Sequence, residues 1–178
     1  GRRMWVSLRL VLIGAVLGSL LGVAAGAYGA VRQYHAFDYT LAIFSFVTLS
    51  IPAVVMAVLL KNAGIGLNNM LGFTPGVDPW SLAGVVNRVA HLVLPSLVLT
   101  LGAVAFYGRY QRNAMLDVLG SDFLRTAQAK GLRRSRALIK HGLRTALIPM
   151  ATFFAYEFAL LFVGATFTEK IFGWHGMG

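Results

Sequence analysis

Four apolar stretches constrain this chain more than any other feature, because each is long enough to cross a hydrocarbon layer as a helix. A spanning helix needs about 20 apolar residues, since each residue rises about 1.5 Å through a core about 30 Å thick. The stretches cover about residues 8–31, 39–60, 92–110 and 148–167. In lipid every backbone donor and acceptor must be met within the protein, which leaves helices or closed barrels. Continuous apolar runs of this length, without two-residue alternation, select helices. The expected fold class is all-α, a polytopic transmembrane helical bundle. Composition agrees: 57% of the 178 residues are hydrophobic and 12% charged, against about 25% charged in a soluble domain.

The first run is too long for the apolar region of a signal peptide, about 7–15 residues, and Arg9 lies within its first turns. It carries Gly14, Gly18, Gly22 and Gly26 at four-residue spacing. One face of a helix is thereby stripped of side chains, so another helix can approach closely. The partner is expected to be a helix of this same chain, with a second subunit as the alternative. The link from Arg32 to Asp38 leads to the second run, where Pro52 predicts a kinked helix. Such a kink serves either a substrate path or packing alone.

A connector from Lys61 to His91 follows, broken by Gly64, Gly66, Gly72, Pro75, Gly76 and Pro79. Its last part, Trp80 to His91, has apolar residues at near-helical spacing and reads as a short helix lying in the membrane surface. The third run opens with Pro95 in its expected first turn, where a missing N–H costs little. The fourth opens at Pro149 and holds Glu157 well inside. An ionisable group at that depth is costly and marks a functional site; the competing reading is a carboxyl hydrogen-bonded to a neighbouring helix.

Between the third and fourth runs lies the one long charged segment, about 111–147. From Arg109 to Arg144 nine basic residues stand against Asp117 and Asp122, whereas the connector has Lys61 and Arg88 against Asp78. Basic residues accumulate on the cytoplasmic side, which predicts that 111–147 is cytoplasmic and the connector external. The formal charge of +10 follows from that clustering, so a nucleic-acid partner is not expected. There is no cysteine, no close histidine spacing, no phosphate-binding loop of the G-x-x-x-x-G-K-[ST] type and no hydrolase or zinc-protease motif. No catalytic residue and no metal ligand is assigned, and the chain is expected not to be an enzyme.

The charged segment has a shape of its own. Ser121 is placed to cap a helix that starts at Asp122. Phe123, Thr126 and Ala127 would share a face, and Gly131 suits a left-handed residue ending the helix. A second helix, about Arg134 to Ala146, would put Leu138, Ile139 and Leu143 on its apolar face. This predicts a helix-turn-helix elbow projecting from the bundle as a docking knob.

The sequence Asp122-Phe-Leu-Arg-Thr-Ala-Gln-Ala-Lys-Gly-Leu132, followed by His141-Gly-Leu-Arg-Thr-Ala-Leu-Ile-Pro149, resembles the EAA loop of ABC-importer permeases. It is most similar to the dipeptide/oligopeptide branch, with the pattern D-[YF]-[VIL]-R-T-A-x-A-K-G-L and then H-x-L-R-N-A-L-I-P. Leu49-Ser-Ile-Pro52, His91-Leu-Val-Leu-Pro95 and Thr168-Glu-Lys-Ile-Phe-Gly-Trp-His-Gly-Met-Gly178 extend the likeness across the chain. Thr145 stands where the family usually has Asn, and His175 where it usually has Pro.

The resemblance implies a MetI-like permease core in a bacterial or archaeal cytoplasmic membrane. It implies four of six spans, as a fragment lacking the first and last. The implied function is a permease subunit of an ATP-driven importer for di- or oligopeptides, forming half of the translocation pathway. Implied partners are a second homologous permease, two cytoplasmic ATPase subunits that carry ATP and Mg, an extracytoplasmic solute-binding protein and the lipid bilayer. No cofactor is implied for this chain itself. Ala127, Lys130, Gly131 and Leu132 would make the ATPase contact, oriented by Asp122 and Arg125, with Pro52 and Glu157 as substrate-path candidates. Two other functions are compatible with an apolar bundle: an ion-coupled secondary transporter using Glu157, and a scaffold whose basic loop binds lipid.

Overall fold

The computed structural model describes residues 2–63 and 81–173. These form helices without a strand: α1 (Arg2–Val31), α2 (Ala36–Ser50), α3 (Ala53–Ala63), α4 (Leu82–Leu119), α5 (Asp122–Ala129), α6 (Arg134–Ala137), a π-helical segment (Leu138–Leu143) and α7 (Arg144–Phe172). Two helices, Leu8–Val31 and Leu82–Leu119, are long and apolar enough to cross a membrane. The number rises to four if each of two bent pairs is one span, Ala36–Ser50 with Ala53–Ala63 and His141–Leu161 with Val163–Phe172. The expected all-α membrane architecture is therefore present. The connector residues 64–80 and the terminal motif residues 174–178 lie outside the described residues.

Beside its buried apolar residues the chain exposes many large apolar side chains and buries several polar ones. Leu20, Ile43, Ile148, Tyr156 and Val163 are exposed, while Ser45, Thr48, Ser96, Thr100, Gln111, Thr168 and Glu169 are buried. Exposed apolar surface on this scale marks contact with lipid or another protein rather than with water.

The chain divides into two compact units. The first takes in the described parts of Gly1–Gly18, Ser50–Ala103 and Glu157–Gly178. Here Gly14 and Gly18 admit α4: an added Cβ would stand 2.6 Å from Leu99 Cβ at Gly14, and 2.3 Å from Ala103 Cβ at Gly18. Ala57, Val98 and Phe172 form its buried apolar cluster, flanked by Met56, Leu60, Leu94 and Ile171. The second unit takes in Ser19–Leu49 and Val104–Tyr156. In it Gly22 and Gly26 continue the contact, and a Cβ at Gly26 would lie 2.3 Å from the Gly108 carbonyl oxygen. Within each unit, then, the glycine face receives a helix of this same chain.

Several boundaries depart from the expectation. The second run is not one kinked helix: it stops at Ser50 and restarts at Ala53. Proline disfavours helical geometry in the residue before it, here Ile51, and the Pro52 carbonyl instead accepts the first hydrogen bond of α3, from Met56 N–H at 3.1 Å. The expected surface helix does not exist separately, since residues from Leu82 onward belong to α4. Ser81 explains the early start, its hydroxyl accepting a hydrogen bond from Gly84 N–H at 3.0 Å as an N-cap. Pro95 therefore lies inside α4 rather than in its first turn. Pro149 likewise lies inside α7, which begins at Arg144.

Candidate coupling elbow

α4 has 38 residues, a length of about 57 Å at the helical rise, nearly twice a hydrocarbon core. Its C-terminal end delivers the elbow. The Gly120 and Ser121 N–H groups donate back to the Leu116 and Val118 carbonyls, each at 3.1 Å, and turn the chain into α5. Ser121 has the extended backbone of an N-cap, yet its side chain does not cap α5. Its hydroxyl donates instead to the Val118 carbonyl at 2.6 Å, because the last carbonyls of α4 lack intrahelical partners. The expected cap is thus corrected to a seal on the preceding helix.

The exit from α5 follows the sequence expectation at Gly131. Gly131 has φ +87°; its N–H donates to the Gln128 carbonyl at 2.9 Å, and Leu132 N–H donates to the Ala127 carbonyl at 3.3 Å. This pair of bonds is a Schellman motif, with Lys130 as C-cap. Leu132 and Ala127 then pack together on one buried cluster formed by Ala30, Met115, Leu124, Ala137, Leu138 and Ala146.

The residue that anchors α5 is Leu124, 3% exposed, whereas Phe123 is 44% exposed. The expected face led by Phe123 is corrected by one position. The Phe123 ring stands edge-on to His141, centroids 6.0 Å apart. Leu124 and Ala127 fall on one side three residues apart, a signal present in the sequence but overshadowed by the aromatic residue, and Leu132 joins them from beyond the left-handed turn. In the second limb Leu138 is buried as expected. That limb does not end at Ala146; it passes through the π-helical segment directly into α7. Gly142 faces α4 there, with room for a Cβ at ordinary contact distance, 3.5 Å from Val118 Cγ1.

The six expected coupling residues sort into two groups. Ala127 and Leu132 are half-buried, while Asp122, Arg125, Lys130 and Gly131 are exposed. Arg125 and Asp122 approach to 3.7 Å across an exposed pair, too solvated to fix geometry. Arg125 also lines a depression with Leu119, Leu124 and Gln128. The exposed bases Arg133 and Arg136 continue the basic character around the bend. The elbow is thus a polar ridge held on an apolar foot. Pro52 is exposed and Glu157 half-buried, and both belong to the first unit, whereas the six elbow residues belong to the second.

The second unit also holds an ion pair that no local sequence pattern marks. Asp38, buried at the start of α2, is gripped by Arg112 of α4, with Nε on one carboxylate oxygen and Nη2 on the other at 2.7 Å. The sequence offers only a carboxylate, Asp38, and two arginines, Arg109 and Arg112, at the same expected end of their spans.

Known proteins resemble this chain along its whole length. The family described as binding-protein-dependent transport system inner membrane component matches residues 10–178. The oligopeptide transport system permease protein OppB of Mycobacterium tuberculosis is 54% identical over 187 residues, covering 100% of this chain and 58% of that protein. The oligopeptide transport system permease protein AppB of Bacillus subtilis is 37% identical over 175 residues, covering 97% and 54%. The dipeptide transport system permease protein DppB of Escherichia coli is 32% identical over 197 residues, covering 99% and 58%. The chain therefore spans a little over half the length of these curated relatives. Helical architecture and family match agree, and the chain belongs to the family of binding-protein-dependent transport system inner membrane components.

Proposed function

We propose that this chain is the core of a permease subunit in an ATP-driven importer of di- or oligopeptides, and that its elbow receives the stroke of a cytoplasmic ATPase. Peptide transport is the function named for its relatives. The ATPases would carry ATP and Mg, a second homologous permease would complete the pathway, and a solute-binding protein would deliver substrate from outside. The elbow, residues 111–147, would face the cytoplasm.

The observation that carries this reading is the preformed elbow itself. Leu124, Ala127 and Leu132 root it, and Asp122, Arg125, Lys130 and Gly131 stand out from it. A basic loop serving only to touch anionic headgroups needs charge but no such foot. A lever between two states has to be stiff, because packed elements switch between arrangements rather than bend continuously.

Gly131→Pro in the full-length permease tests the assignment. Proline is confined near φ −65° and has no N–H, so it breaks both the left-handed turn and the bond to Gln128. Membrane insertion should persist, while peptide uptake and permease-stimulated ATP hydrolysis are lost. Normal uptake together with normal stimulation in that variant would remove the elbow from the coupling role.

A further inference from the structure

We infer that Asp38 and Arg112 are a positioning pair that makes the α1–α2 turn and the elbow one rigid body, so that displacement of the elbow also carries α1 and α2. The inference rests on the coupling function proposed above.

Asp38 is 3% exposed, and three donors converge on it. Arg112 supplies a guanidinium fork to both oxygens, and Tyr34 N–H donates to Oδ2 at 3.2 Å. Tyr34 has φ +66°, a left-handed conformation that few non-glycine residues adopt; the turn is held in it with the Tyr34 N–H on the carboxylate. Asp38 N–H in turn donates to the His35 carbonyl at 2.9 Å. The carboxylate therefore organises the turn and the helix contact together.

Two glycines make the contact possible. A Cβ at Gly29 would lie 3.3 Å from Asp38 Oδ1. A Cβ at Gly26 would lie 3.0 Å from the Arg112 backbone nitrogen, so α1 presses on α4 at the very residue that carries the guanidinium. The elbow's foot begins immediately beyond: Ala30 of α1 and Met115 of α4 share the buried cluster of Leu124 and Leu138. Ion pair and foot are thus adjacent parts of one packed body.

A buried ion pair contributes little net stability, because desolvation offsets the attraction, and its best-attested use is to specify geometry. A planar fork on a carboxylate fixes orientation as well as distance. With both oxygens engaged, Asp38 is suited to holding a position rather than to carrying an ion.

The test uses the full-length permease assembled with its ATPases, with spin labels on cysteines introduced at Ala36, where the turn enters α2, and Gln128 in the elbow, and no other cysteine. The distance between labels should form one narrow distribution, identical in nucleotide-free and nucleotide-bound complexes. Asp38→Asn and the milder Arg112→Lys should broaden it. Both should lower peptide taken up per ATP hydrolysed by at least about fivefold, the low end for coupled sites, with ATPase subunits still co-purifying. A label distance that differs between nucleotide states in the unsubstituted protein overturns the inference. So does an unchanged uptake-to-hydrolysis ratio, or a loss of uptake that only tracks the amount of assembled complex. If the elbow were not an ATPase contact, the unsubstituted permease would fail to co-purify with the ATPases, a result separate from the label distances.

Discussion

Lys61, in the last turn of α3, donates a hydrogen bond from its ammonium group to the backbone carbonyl of Ile171, 110 positions further along the chain. The acceptor lies in the last turn of α7, where carbonyls lack intrahelical partners and the helix dipole favours a cation. α7 ends one residue later at Phe172, and Gly173 follows at φ +69°. Leu60, the donor's neighbour, and the side chain of Ile171 itself pack on the same cluster of Ala57, Val98 and Phe172. In the sequence Lys61 counts only as one charge of an expected external connector; in the fold it closes the end of the last described helix.

Lys61→Met keeps the stem and removes the charged donor. A hydrogen bond to a charged group contributes roughly 1.5–3 kcal/mol, and its loss leaves a partly buried carbonyl unmatched. The purified permease should melt several degrees lower with Met at position 61 and near the parent value with Arg. Equal melting of Lys61→Met and the parent protein would show that the carbonyl finds another donor.

The glycines differ sharply in what they tolerate. An added Cβ at Gly26 would meet the Gly108 carbonyl oxygen at 2.3 Å, backbone that cannot turn aside, whereas one at Gly102 meets nothing within 4 Å. Gly26→Ala should therefore separate α1 from α4 locally, with an overpacking cost of about 1–3 kcal/mol or more. Gly102→Ala should be neutral or slightly stabilising, since alanine is the better helix former. Size-exclusion profiles of detergent extracts after graded heating would rank the two, and a Gly26→Ala protein as heat-resistant as Gly102→Ala would contradict this packing.

Much of this is legible in the sequence, and the exceptions share a cause. Apolar runs and the glycine face are periodic signals, so α1 and its close contact with another helix of the chain are legible in the sequence, while the identity of that helix as α4 is not. Gly131 was legible because a left-handed helix end strongly favours glycine. What failed depended on competition between neighbours. Ser121 can accept from the helix ahead or donate to the helix behind, and the Val118 carbonyl wins. Phe123 and Leu124 both look like anchors, and only the position of Met115 and Leu138 decides between them. Pro52 permits either a kink or a break. The Asp38–Arg112 pair joins residues 74 positions apart, and no local pattern announces it.

Leu124 and Phe123 offer the most direct check of the elbow's construction. Truncating a buried leucine costs about 2–5 kcal/mol through lost burial and the cavity left behind, while an exposed phenylalanine has little to lose. Leu124→Ala should therefore detach α5 from its foot without unfolding the helices beyond it, and Phe123→Ala should not. The exposed residues Arg125, Lys130 and Arg133 make trypsin a reporter. In inverted membrane vesicles, where the proposed cytoplasmic face is outward, Leu124→Ala should be cut within this segment several-fold faster than the parent, and Phe123→Ala at close to the parent rate. In right-side-out vesicles all three should be protected. Cleavage in that orientation would reverse the assigned topology, and equal cleavage of the two variants in inverted vesicles would show that Leu124 is not the anchor.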